Sequence, residues 1–269
     1  MPRFSQQTFS SFFKRILQFG HSGNTGTPTS TTNIQAGDGV ATSLSLSDDV
    51  LSVQPVNDNT TGTMNVANQG GSSILKVDTT NSKVLVGASQ TAANTQYAHF
   101  GLDYSGAATF VADTHYAIPF NLTNFTTIVS MGSSTSSSFN DTNPATSLTI
   151  SNTAMDVVLT YWYVMDDITI DAVKWLHAAD TATGEATAAH LMSYTVDIAN
   201  GSTGGDLSSG VVVADGATIT NAGYEQIYYQ AMTVQSADVD AGKVILFTFA
   251  SDTVNSDYSI NATVKFHIR

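Results

Sequence analysis

Two groups of carboxylates in this sequence are spaced as loop ligands: Asp166 and Asp167 with Asp171, and Asp238 with Asp240. Clustered loop oxygens of this kind can hold calcium, but neither group lies in a loop of roughly twelve residues closed by a glutamate. Solvated turn aspartates are the simpler reading, and no metal is expected. The six histidines, at 21, 99, 115, 177, 190 and 267, occur singly, without H-E-x-x-H or paired metal spacing. No G-x-S-x-G elbow and no P-loop lysine motif are present. The glycine-containing run NGSTGGDLSSG (200–210) joins strand-like segments with no helix behind it, so it lacks the N–H cradle a phosphate needs. No cysteine is present, which excludes disulfides, thiolate metal sites and a cysteine nucleophile. A pair of carboxylates for glycoside cleavage is defined in space, and nothing in the sequence recommends one pair over another. The reading is that the chain is not an enzyme and takes no cofactor.

Aromatic residues carry more information. Tyr161, Trp162, Tyr163 and Trp175 lie in strand-like runs, as do Tyr228 and Tyr229. Successive side chains on a strand point to opposite faces, so Trp162 cannot share an environment with Tyr161 and Tyr163. Some of these rings must face a ligand or a neighbouring subunit, where an aromatic can stack on a sugar or bury in an interface. Each ring taken alone is also consistent with a place in the core.

The elements around these residues follow from composition. The 269 residues are 42% hydrophobic but only 12% charged, and Ser, Thr, Asn and Gly fill the difference. That mixture favours strands joined by polar turns. Net charge is −13, yet the only charges before Asp38 are the cations Arg3, Lys14 and Arg15. An acidic body repels phosphate, which argues against nucleic-acid binding. No apolar run is long enough to span a membrane, and the run after Lys14 and Arg15 is too short for a secretory h-region.

Along the chain, Phe9, Phe12, Phe13, Ile16 and Leu17 follow the i, i+3, i+4, i+7, i+8 spacing of one helical stripe, with Gly20 placed to end it. The spacing predicts an amphipathic helix over 1–20. Packing on its own core and lying on a membrane surface are both open to such a helix. The apolar-free run HSGNTGTPTSTTN (21–33) reads as a tether, and a helix on a tether suits a groove on another protein. Residues 34–96 carry short apolar beats, LSL, VLSV, MNV, ILKV and KVLV, separated by turn residues at intervals of roughly ten residues. Each beat offers one thin apolar edge. A single copy cannot build a core from such edges, whereas three copies wound about an axis can; a plain meander belonging to the next domain is the alternative. From 97 to 269 the strands lengthen, and an antiparallel β-sandwich of jelly-roll type is expected, with one wet face on each sheet. The serine-rich run at 130–144 reads as a loop.

The order of helix, tether, IQAGDGVATSLSLSDDVLSVQP and then ILKVDTTNSKVLVG resembles the shafts of fibre and appendage proteins of tailed bacteriophages. The stretch WLHAADTATGEATAAHLMSY and the run from GKVILFTFA to the last residue resemble the sandwich heads of the same proteins. The resemblance covers nearly the whole chain and rests on structural motifs, so no catalytic residue is carried over. It implies an all-β homotrimeric virion protein, assembled in the bacterial host cytoplasm and displayed on the mature particle. The short shaft, roughly 180 Å even when fully extended, points to a capsid or head–tail neck appendage. Phe9, Phe12, Phe13, Ile16 and Leu17 would dock on a larger virion protein, with Lys14 and Arg15 at the rim. The alternative is a receptor-binding tail fibre that recognises a host-surface glycan through Tyr161, Trp162, Tyr163, Trp175, Tyr228 or Tyr229.

Overall fold

Turn chemistry divides the N-terminal part of the chain into short strands. The structure, a computed structural model, describes residues 18–19, 29–35, 39–89, 91–121, 129–133, 143–148, 158–179, 184–197, 206–223, 226–253 and 255–269. Two compact units, Met1–Asn94 and Thr95–Arg269, emerge. In the first, β1 (Gln18–Phe19), β2 (Thr32–Gln35), β3 (Ala41–Leu46) and β4 (Leu51–Val53) form one antiparallel sheet. A second antiparallel sheet contains β5 (Met64–Ala67), β6 (Ser73–Asp78), β7 (Lys83–Val86) and β8 (Thr91–Ala92). Each of the short apolar beats therefore lies on a strand.

Side-chain-to-backbone bonds set the turns. Asn68 Oδ1 accepts from Ser72 N at 2.9 Å, and Gly71 supplies the positive φ of that turn at +84°. Between β6 and β7, Asp78 Oδ1 accepts from Asn81 N at 2.9 Å and its Oδ2 from Asn81 Nδ2 at 2.8 Å. These bonds, the Asn81 side chain first, hold the Asp78 carboxyl below its usual range.

Two expectations change here. Gln18 and Phe19 pair with Gln35 and Ile34 as extended backbone, so the helix expected over 1–20 does not run to Gly20. The expected tether also ends early, because Thr32 and Asn33 already belong to β2 and pair with Leu46 and Ser45. The anchor residues Phe9, Phe12, Phe13, Lys14, Arg15, Ile16 and Leu17 lie outside the described residues.

The second unit begins with β9 (Thr95–Phe110), β10 (Thr114–Ile118), β11 (Val129–Ser133), β12 (Trp162–Tyr163), β13 (Ile168–Ala179) and β14 (Ala186–Val196). It continues with β15 (Leu207–Asp215), β16 (Ile219–Thr220), β17 (Gln226–Ala231), β18 (Thr233–Val234), β19 (Asp238–Val239), β20 (Lys243–Ser251) and β21 (Asn255–Ile268). One sheet has the order β11-β10-β20-β14-β15-β18, and the other β17-β13-β21-β9, all antiparallel. The core lies between them. Trp175 of β13 approaches Phe247 and Phe249 of β20 at 6.1 Å, and Phe100 of β9 meets Phe247 at 6.0 Å. Along β21 the alternation is clean: Ile260, Ala262, Val264 and Phe266 are all buried.

The first sheet departs from the expected wet outer face. Along β20 every residue from Val244 to Ser251 is buried, and a second apolar cluster of Met131, Met192, Tyr194, Leu207, Val244 and Leu246 covers the side away from the main core. Residues 143–148 supply part of that cover. Tyr194 OH donates to Ala145 O at 2.9 Å, and Leu148 bridges Leu207. Residues 130–133, the start of the run read as loop, belong to β11, which pairs with β10 and places Met131 in this cluster. At Gly210 the cover leaves no room for a side chain: an added Cβ would stand 2.6 Å from Tyr194 Cε1 and 2.8 Å from the Thr146 Cα. Gly210→Ala is expected to destabilise the unit by about 1–3 kcal/mol through overpacking. A thermal melt checks this, and an unchanged melting temperature would show that the cover yields freely.

One carboxylate is fully enclosed. Glu185 accepts hydrogen bonds from Ser251 Oγ, from Thr253 Oγ1 at 2.7 Å and from Tyr258 OH, and so ties β14, β20 and β21 together at one end of the core. Three hydroxyl donors meet the requirement that a buried charge be hydrogen-bonded.

Candidate assembly interface

Residues directly opposite one another in an antiparallel pair lie on the same face, so register alone sorts the side chains of the N-terminal sheets. In the β5–β8 sheet one row is Met64, Val77 and Val84, and the next is Val66, Leu75, Val86 and Thr91. The opposite face carries Asn65, Lys76 and Leu85 in one row and Asp78 and Lys83 in another. One side of this sheet is therefore a continuous aliphatic surface without a charge. The β1–β4 sheet repeats the design: Leu44 opposes Val53 and Leu46 opposes Leu51, while Asn33, Ser45 and Ser52 share the other side. Ser45 Oγ donates to Asn33 Oδ1 on that polar side.

Among the described residues of the unit, several of these aliphatic side chains stay exposed. Met64, Val66, Val84 and Val86 are 40%, 45%, 41% and 38% exposed, and Leu51 is 64% exposed. Among the described residues of this unit only Ser47 and Asp78 are buried, and neither is apolar. A sheet of three or four short strands needs its apolar side packed against something to be stable in water. Patches of this kind mark interaction surfaces.

The aromatic candidates in the second unit divide sharply. Trp175 is fully buried and is not a ligand-facing residue: its Nε1 donates to Gln230 Oε1 at 3.1 Å, and its ring stacks on His177 at 4.9 Å. Trp162 is likewise a core residue, held between Phe120, stacked at 5.9 Å, and Phe266 at 4.8 Å. Tyr161 is half-buried, and burial with nearby Asp206 pushes its hydroxyl pKa above the usual phenol value. Tyr228 is also half-buried; it stacks on His177 at 5.2 Å, donates to Gln226 Oε1 at 2.8 Å and accepts from Ala222 N at 2.6 Å. Only Tyr163 and Tyr229 stand exposed. The reason is alternation on two-layered strands: the sequence places neighbours on opposite faces, but which face meets the other sheet is a tertiary choice. Tyr163 borders a half-open cleft of about 190 Å³ with Gln96, Met165, Asp166, Trp162 and Phe266 around it.

Four of the five aspartates that resemble calcium ligands are engaged elsewhere, and Asp166 borders the cleft beside Tyr163. Asp240 pairs with Arg269 at 2.9 Å, and Asp238 takes the other guanidinium nitrogen at 3.5 Å and the Thr169 hydroxyl at 2.7 Å. Asp171 holds His267 Nδ1 at 3.0 Å, and Asp167 Oδ1 accepts from Ala241 N at 2.8 Å. Among the described residues no group of three His, Asp or Glu side chains gathers at metal-binding spacing. Sequence reasoning did not find the roles of Glu185 or of the buried histidines 115, 177, 190 and 267, since nothing local distinguishes an inward polar residue from an outward one.

No protein-family model, no curated protein and no solved structure matches this chain.

Proposed function

We propose that the chain is a self-assembling structural protein: a short homotrimeric fibre whose N-terminal unit is completed by identical copies and whose C-terminal sandwich is displayed as a head. One observation supports this above all others. The N-terminal unit carries two sheets with continuous aliphatic faces, and not one apolar side chain among its described residues is buried. Identical copies are the natural cover, because each brings the same flat uncharged face and buries it symmetrically. Three is the number implied by the resemblance to tailed-bacteriophage appendages. On that reading residues 1–20, with Phe9, Phe12, Phe13, Ile16 and Leu17 as apolar anchors and Lys14 and Arg15 as cations, dock the fibre on a capsid or neck protein.

The test is the molar mass of the purified full chain in solution. A mass of three chains is the expected result; a monomer that keeps residues 39–89 ordered overturns the proposal.

A second reading is favoured by the cleft beside Tyr163. Its exposed ring and Met165 provide an apolar wall, and Gln96 and Asp166 are polar groups at its border, a combination suited to a single sugar ring. Binding of the full chain on a glycan array, lost on Tyr163→Ala, is the expected result for this receptor-binding role; silence across diverse glycans would reject it.

A further inference from the structure

We infer that β17 is a second, independent association edge, through which the C-terminal units of two copies pair two-fold into one continuous sheet. β17 ends the sheet order β17-β13-β21-β9, and its only strand partner among the described residues is β13. The opposite edge of that sheet is different. β9 is bonded along its outer side, with Gly101 N donating to Pro119 O at 3.0 Å and Asn121 N to His99 O at 2.8 Å.

Edge strands are ordinarily protected by a charge, a proline or a bulge. β17 has none of these. Its sequence is Gln226, Ile227, Tyr228, Tyr229, Gln230, Ala231, and its pairing with β13 runs without a register shift. High β-propensity with no charge and no proline is the signature of a strand that recruits another strand.

The flanking surface agrees. Register with β13 places Ile227 beside Ala178 and Tyr229 beside Leu176 on the outward face. Ile227, Tyr229 and Leu176 are 73%, 59% and 40% exposed. Among the described residues the cation Lys174 lies beside them, its Nζ 5.8 Å from the Tyr229 ring centroid. Within β17 itself there is no carboxylate, so two copies of the strand bring no like charges together there.

The occupant is a second copy because the strand complements itself. Antiparallel pairing centred on Tyr228 sets Ile227 opposite Tyr229 of the other copy, and Tyr229 opposite its Ile227. Gln226 meets Gln230, and Tyr228 meets its own equivalent. Aromatic and β-branched residues directly opposed are among the favourable cross-strand pairs. Shifting the register by one residue would set outward Ile227 against inward Gln230, whereas the centred register keeps both outward faces on one side and sets Ile227 against Tyr229 twice. A contact between two six-residue strands is small, so association is weak and concentration-dependent. The inference does not depend on the proposed trimer except in one respect. Three copies on a three-fold axis cannot all pair two-fold with one another, so this contact joins heads of separate fibres.

Sedimentation of the full chain over a range of concentrations tests it. Wild type is expected to form a species of twice the basal mass as concentration rises. Ile227→Lys/Tyr229→Lys, changed only at exposed positions, is expected to weaken that doubling at least tenfold while melting at the same temperature. A one-chain basal species stops at doubling, whereas a three-chain species with three such edges goes on to higher multiples; in both cases the lysine variant suppresses the rise, so failure of the trimer and failure of this edge are separable. Because the chain has no cysteine, Tyr228→Cys is expected to give a disulfide-linked pair of chains on oxidation. Absence of doubling, doubling unaltered by the lysines, or doubling without the Tyr228→Cys crosslink would each overturn the inference.

Discussion

Val84→Asp is expected to dissolve the proposed trimer, taking the molar mass from three chains to one. Val84 stands in the row Met64, Val77, Val84, at 41% exposure within a single copy. Replacing an exposed side chain there alters the sheet of one copy little, by roughly 1 kcal/mol or less on strand propensity. In the proposed trimer the same position would lie against another copy. Each aspartate must then lose water without a partner, at several kcal/mol per charge, and identical charges converge on one axis. Dissociation strengthened by about a hundredfold or more per copy follows from about 3 kcal/mol. Asn65→Asp provides the control, since Asn65 shares a sheet with Val84 but belongs to the polar side. It adds the same charge and is expected to leave the mass at three chains. Equal dissociation by both variants would mean that net charge, and not burial of the aliphatic face, governs association.

The second large effect is acid destabilisation of the C-terminal unit between about pH 6.5 and pH 4. Burial depresses the pKa of His177 and of His190 to about 4. His177 is enclosed by Trp175, Tyr228 and Phe249, bonds Thr187 Oγ1 at 3.3 Å, and feels Asn221 and Glu185 as weaker opposing influences. His190 faces the His115 ring at 5.1 Å and Asp215 at 3.2 Å. That carboxylate favours an imidazolium, but His190 is itself buried, so desolvation prevails and the imidazole stays neutral beside Asp215. Unfolded histidine titrates near 6.5. Above that value both states carry neutral imidazole and the stability is fully present. As pH falls toward 4 the unfolded chain binds protons that the folded chain refuses, and stability declines until the folded imidazoles also protonate. Each histidine accounts for roughly 3 kcal/mol over this window. Asp215, whose carboxyl pKa is raised by burial, works in the opposite direction at the acid end. Urea melts at pH 7.0 and 4.5 should show the loss, and His190→Leu should remove about half of it. Stability that is flat across this interval would contradict the account.

The legibility of the sequence follows the same physics. In residues 34–86 the beats are short and alternate with turn residues, so both the strands and their apolar sides can be read directly. LSL and VLSV become Leu44 and Leu46 facing Val53 and Leu51. In the C-terminal unit periodicity finds strands but not layers. β20 reads as a continuous apolar run because both sides of its sheet are covered, and part of the cover comes from residues 143–148, whose placement over Tyr194 is a tertiary contact. Trp175 and Tyr229 look alike as strand aromatics, yet one is enclosed and the other exposed, since β13 runs inside its sheet and β17 ends it. The helix predicted from a five-residue stripe gave way at Gln18 and Phe19 to pairing with β2, a contact that local spacing does not encode.

The placement of β21 has a consequence for the order of events during synthesis. It lies between β13 and β9, so the four-strand path of that sheet is incomplete until residues up to Ile268 have left the ribosome. β9 must wait, through more than a hundred intervening residues, for the partner it meets at Ile260 and Ala262. The N-terminal hairpins close over a few residues and need no such delay. If the proposed trimer forms, nascent chains on one polysome can meet through their first-made sheets while the later sheet is unfinished, which raises the local concentration for oligomerisation.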